Sequence, residues 1–78
     1  MKEYISRIIA IIIDKTGMDP EEISEESYFE DDLNIAEMEL MEIIGAIEEE
    51  YQITFEIEEK EKVKSIMDMV EIVFEKVE

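Results

Sequence analysis

The spacing of apolar residues divides the chain into four helical segments and one long connection. From Lys2 to Lys15, the isoleucines at 5, 8, 9, 12 and 13 recur at the i, i+3, i+4, i+7, i+8 positions of a helix with one buried stripe. Isoleucine leans weakly toward strand, but the period decides for helix. Leu40, Ile43, Ile44, Ile47 and Tyr51 form a second stripe, which predicts a helix near residues 35–51. Asn34 is its expected cap, and Glu37 three residues later is placed to complete a capping box. A short charged helix is expected over 57–62. The last helix, over 66–77, carries Ile66, Met69, Val70, Val73 and Val77 on one face with Phe74 beside it, and Ser65 with Asp68 makes its capping box.

The connections carry their own signals. Gly17 is a plausible stop for the first helix. Asp19-Pro20-Glu21-Glu22 places a capping aspartate before a proline at a first helical position, which predicts a single turn inside the long loop of residues 18–34. Ile23, Phe29 and Leu33 are the expected anchors of that loop to the core, joined by Tyr28. Ile53 and Phe55 alternate as a strand would, but one isolated strand has no partner here, so residues 52–56 are read as a turn. No repeat, linker or second domain is visible; residues 1–78 read as one all-α domain.

Charge changes the picture more than composition does. The net charge is −17, and it is concentrated: residues 18–59 hold seventeen acids and no base, while the two ends are nearly balanced. Nucleic acid and anionic membrane surfaces would be repelled, whereas a basic protein surface would be attracted. Histidine and cysteine are both absent, which removes the commonest general base, the commonest zinc ligands and any thiolate nucleophile. The longest apolar run, Ile8 to Ile13, is far too short to span a membrane and no cleavage site follows it, so the expected location is the cytoplasm. The runs Glu30-Asp31-Asp32 and Glu48-Glu49-Glu50 have no ligand-spaced loop, and no metal site is expected from them. Met38 and Met41 are candidates for partial exposure on the second helix.

At Phe29 to Tyr51 the sequence resembles the acyl carrier protein family. Phe29-Glu30-Asp31-Asp32-Leu33 is similar to the stretch before that family's attachment site. Glu42-Ile43 and Ala46-Ile47-Glu48-Glu49-Glu50-Tyr51 are similar to its acidic recognition helix. The resemblance implies a four-helix bundle with a long first loop and a short third helix over nearly the whole chain. It also implies a carrier, not an enzyme. The family pattern reads Asp-Leu-Gly, one variable residue, then Asp-Ser-Leu, with phosphopantetheine joined to the serine. The aligned residues here are Asp32-Leu33-Asn34-Ile35-Ala36-Glu37-Met38, so Glu37 stands at the attachment position and no cofactor is expected. A carboxylate attacking coenzyme A would give a labile acyl phosphate, not a stable phosphodiester.

The expectation is therefore a non-carrying relative that docks on the basic surface of an enzyme of a fatty-acid or polyketide-type pathway. Glu37, Glu39, Met41, Glu42, Glu48 and Glu49 are the expected contacts. The same glutamates would also serve simply to keep a helix face soluble. Noncovalent carriage of an acyl chain, and modification at another serine, are the two alternatives. A monomer is expected.

Overall fold

The computed structural model describes all residues from Met1 to Glu78. Four helices follow one another as α1 (Lys2–Thr16), α2 (Glu37–Tyr51), α3 (Ile57–Lys62) and α4 (Ile66–Val77), with a single 3₁₀ turn at Pro20–Glu22 inside the first loop. No strand forms at residues 52–56; the one β-type contact is an isolated antiparallel bridge between Tyr28 and Ser65.

Helix α1 packs on α4 and on α2. Its Ile8 and Ile12 are completely buried, and Ile5, Ile9 and Ile13 flank them half-buried. Full burial of an isoleucine stabilises by about 1.5–3 kcal/mol, so these two residues hold α1 in place. The helix ends where Gly17 takes φ 72°, a left-handed conformation that costs glycine nothing, and its N–H donates to the Ile13 carbonyl at 2.8 Å. Leu40, Ile43, Ile44 and Ile47 bury the α2 stripe, and Ile66, Met69, Val70 and Val73 bury that of α4. Val77, expected on the same stripe, is the last residue of α4 and is 42% exposed. Phe74 instead meets Tyr4 edge to face, with ring centroids 5.7 Å apart, and Tyr51 adds a third ring at 5.8 Å from Tyr4.

The long loop is held by backbone pairing as well as by apolar anchors. Phe29 N–H donates to the Lys64 carbonyl at 2.9 Å, and Ile66 N–H donates to the Ser27 carbonyl at 3.0 Å, so residues 27–29 run extended beside the start of α4. Extended chain alternates its side chains. Ser27 and Phe29 accordingly point inward while Tyr28 is exposed, which corrects its expected place among the anchors. Ile23, Phe29 and Leu33 are buried as expected, and Ile35 joins them. The capping box expected at Ser65 with Asp68 is present, and the expected capping aspartate, Asp19, forms a second box with Glu22.

Candidate docking surface

The approach to α2 is set by a turn that closes at Asn34. Asn34 takes φ 56°, its N–H donates to the Glu30 carbonyl at 3.1 Å, and the Ile35 N–H donates to the Phe29 carbonyl at 2.8 Å, so Leu33 and Ile35 both reach the core. Asparagine is one of the few residues besides glycine that adopts this conformation without large cost. Asn34 is therefore a turn residue and not the helix cap. Ala36 occupies the cap position with no side-chain hydrogen bond, and the helix starts at Glu37, later than the expected residue 35. Glu37 is the first helical residue, not the closing member of a capping box. Its charge and that of Glu39 face the positive end of the helix dipole, which compensates in part for the missing cap.

The six expected contact residues do not form one surface. With 100° between successive residues, Glu37, Met41 and Glu48 lie toward one edge of α2, Glu42 and Glu49 lie on its outer face, and Glu39 lies toward the opposite edge. Glu37 and Met41 line a groove of about 240 Å³ between α2 and the α3–α4 segment, whose walls include Phe29, Leu40, Lys60 and Lys64. Glu49 borders a different groove, against α1, where Arg7 reaches across to Glu50 at 2.8 Å. Glu39, Glu42 and Glu49 are exposed, and Met38 is 80% exposed, whereas Met41 is half-buried.

Glu48 departs furthest from expectation. It is half-buried, and its carboxylate accepts the Phe55 N–H at 2.7 Å, while its carbonyl accepts the Ile53 N–H at 3.1 Å. Phe55 is 3% exposed. Glu48 thus holds the turn that leads into α3 and is not a free surface charge. Its neighbour α3 is fixed by a second carboxylate. Glu59 accepts the Glu56 N–H at 2.7 Å and pairs with Lys76 of α4 at 2.9 Å, and these two contacts, in that order, hold its pKa below the ordinary carboxylate value.

Sequence reasoning missed Phe55 as a core residue and Lys60 and Lys64 as lining of the groove beside Glu37. Phe55 carried a visible signal, its alternation with Ile53, which was assigned to a turn. The lysines carried one too, since they directly follow the base-free stretch. No three acidic side chains converge in a way that would hold a metal ion, and no helix is long and apolar enough to cross a membrane.

The fold defines a class: a four-helix domain with a long pinned loop before an acidic second helix. Comparison with known proteins names it. A family model described as a phosphopantetheine attachment site matches residues 6–73. The chain is 35% identical over 75 residues to an acyl carrier protein of Thermosynechococcus vestitus, covering 96% of this chain and 93% of the relative. It is 47% identical over 60 residues to one of Clostridium acetobutylicum, covering 77% and 78%. The crystal structure of an acyl carrier protein from Thermotoga maritima superposes with a TM-score of 0.84 at 28% identity, covering 97% of this chain and 88% of that one. The chain belongs to the acyl carrier protein family, whose members are carriers and not enzymes.

The group that gives the family model its description requires a hydroxyl where it is attached. The first turn of α2 reads Glu37-Met38-Glu39-Leu40 and offers none. The other serines stand elsewhere in the fold: Ser65 caps α4, Ser27 is buried and accepts the Ser24 N–H at 3.0 Å, Ser24 lies in the long loop and accepts the Glu26 N–H at 3.2 Å, and Ser6 lies on α1. The residues at the start of α2 do not fit the group.

Proposed function

We propose that this protein is a docking member of its family that binds a partner without carrying phosphopantetheine. The observation that carries the reading is the first residue of α2. Glu37 presents a negative charge at the turn where the family presents a phosphodiester, and the exposed Glu39, Glu42 and Glu49 continue the acidic face along the helix. The family supports a place in fatty-acid synthesis, and the adaptor or regulatory role in a fatty-acid or polyketide-type pathway is part of this proposal. The contact would be made by a basic surface, with fast and salt-sensitive association.

Two measurements test this. Incubation with a pantetheinyl transferase and coenzyme A should leave the intact mass unchanged; a mass gain of one phosphopantetheine would restore the ordinary carrier role, at whichever serine the fragmentation identifies. The double reversal Glu42→Lys with Glu49→Lys should abolish partner association while the domain stays folded, because both side chains are exposed. Glu48 is unsuitable for that purpose, since reversing it removes the Phe55 hydrogen bond as well.

The groove of about 240 Å³ supports a second reading, noncovalent carriage of an acyl chain, because Phe29, Ile35, Leu40, Met41 and Val63 form its apolar wall. Native mass spectrometry of the purified protein separates the two: a retained lipid favours carriage, and a clean apo mass favours docking.

A further inference from the structure

The chain has two glycines, and the fold accounts for one of them. Gly17 takes φ 72° and ends α1, whereas Gly45 lies in the middle of α2 and has no positive φ. Gly45 is exposed, and a Cβ built on it meets no neighbouring atom within 4 Å, so neither backbone geometry nor packing inside the domain calls for glycine there. Glycine in an exposed helix interior is less stable than alanine, because it gives up more backbone freedom on folding. The start of α2 has no side-chain cap to offset that loss. With 100° between successive residues, Met38, Glu42, Gly45 and Glu49 follow one another along a single line opposite the buried Leu40, Ile43, Ile44 and Ile47. Met38 is 80% exposed, and Glu42 and Glu49 are exposed as well. Gly45 leaves a notch in that line, between two carboxylate-bearing positions ~10 Å apart along the axis.

Resting on the docking reading, we propose that Gly45 is a notch for close backbone approach: the partner presents a helix that meets α2 there with a small residue of its own, a basic residue on either side and an apolar residue over Met38. The line of side chains selects this occupant. Glu42 and Glu49 call for cations ~10 Å apart, which residues seven positions apart on one face of a helix supply. Met38, one turn before Glu42, offers an unbranched apolar side chain that an apolar residue one turn further along the same helix would cover. Helix axes pack about 8–10 Å apart according to the side chains between them, and glycine opposite a small residue sets the lower end. Acidic charge attracts any basic surface and does not choose among them. Gly45 does choose, because a bulky residue at the contact holds the partner helix off and its cations with it. It thus acts as a specificity determinant through shape, at the expense of stability in the domain alone.

Synthetic helical peptides provide the probe. Two carry a pair of arginines seven positions apart with an alanine between them, at the third or the fourth position, to suit a parallel or an antiparallel helix; each has a leucine one turn beyond the arginine that faces Glu42. Two more replace the central alanine by leucine, which keeps the charge and a similar helix propensity. The variant is Gly45→Ala. Its melting temperature should rise by about 2–8 °C, the gain of alanine over glycine in a helix interior of a domain this small. At least one alanine-centred peptide should bind it about threefold to tenfold more weakly than wild type, because a methyl group now stands in the notch. The leucine-centred peptides, already held off, should bind both proteins alike. A melting temperature that falls would show that the fold itself needs Gly45, and the notch is then refuted. Equal affinity of wild type and variant for the alanine-centred peptides also refutes it, as does an equal loss for all four, which would place the effect in the pliability of α2. In each of these cases the docking reading survives as long as Glu42→Lys with Glu49→Lys still abolishes binding. If no peptide binds the wild type, or none responds to that reversal, the docking reading fails and the notch fails with it.

Discussion

Replacing Glu48 by alanine tests whether the acidic helix is a uniform charged surface or contains a structural carboxylate. Two effects of the substitution raise stability. Removing one acid from a chain of net charge −17 relieves repulsion, and alanine has the higher helix propensity. The third effect opposes them. Glu48 accepts the Phe55 N–H at 2.7 Å beside a side chain that is 3% exposed, and its loss leaves that donor without a protein partner. A hydrogen bond to a charged acceptor contributes about 1.5–3 kcal/mol, and the half-buried position of Glu48 places this one toward the lower end, since water competes for the carboxylate. For a domain of this size 1 kcal/mol corresponds to about 4–8 °C in melting temperature, so a loss of about 1.5 kcal/mol should place the melt about 6–12 °C below that of Glu49→Ala, which shares both stabilising effects. Glu49→Ala is the control, because it removes the same charge from the next position of the same helix and its exposed carboxylate accepts no hydrogen bond; its effect should stay within about 0.5 kcal/mol. Glu48→Gln keeps an acceptor oxygen and should fall between the two. The measurement is thermal melting by circular dichroism in low salt. If Glu48→Ala melts no lower than Glu49→Ala, the hydrogen bond contributes nothing and the distinction between the two glutamates is wrong.

Four further outcomes follow from the same structure. Asn34→Ala should cost about 1–2 kcal/mol and Asn34→Gly much less in chemical denaturation, because φ 56° strains alanine but not glycine; equal costs would remove the turn argument. Sodium chloride or magnesium should raise the melting temperature at neutral pH by screening the acids of residues 18–59, and a melt indifferent to salt would show that their repulsion is negligible. Glu59 has a depressed pKa in the fold, so its contribution is present above the unfolded carboxylate value and is lost as pH falls through the lower, folded one; Glu59→Gln should flatten the acid side of the stability profile, and an unchanged profile would count against the Lys76 and Glu56 contacts. Tyr4 donates to the Glu78 carboxylate, and that hydrogen bond, with some burial, pushes its pKa up to about 12; an ultraviolet titration should lose its latest-titrating tyrosine in Tyr4→Phe, and an unchanged titration would refute the assignment.

The sequence by itself determined the helices, because each has a stripe with a helical period and most have local punctuation. Gly17, the Asp19-Pro20 turn and the Ser65–Asp68 box depend only on neighbours a few residues away, and all three are where their residue types require. The base-free stretch was equally legible, since charge is a property of composition. What tertiary structure decided were contacts between residues distant in the chain. Whether Asn34 caps a helix or turns the chain depends on the turn from Phe29 to Ile35, whose start is held by the distant Lys64 carbonyl, and either role suits asparagine locally. Tyr28 faces water because residues 27–29 pair with the start of α4, nearly forty positions away. Glu48 and Glu49 are the same residue type at adjacent positions, yet one holds the turn into α3 and the other is free, because only one side of α2 meets Phe55. The expected docking residues were chosen for their charge, and charge does not record which way a helix is rotated against its neighbours. Packing of the buried stripe sets that rotation, and it divides one acidic helix into a supporting edge and an outward face.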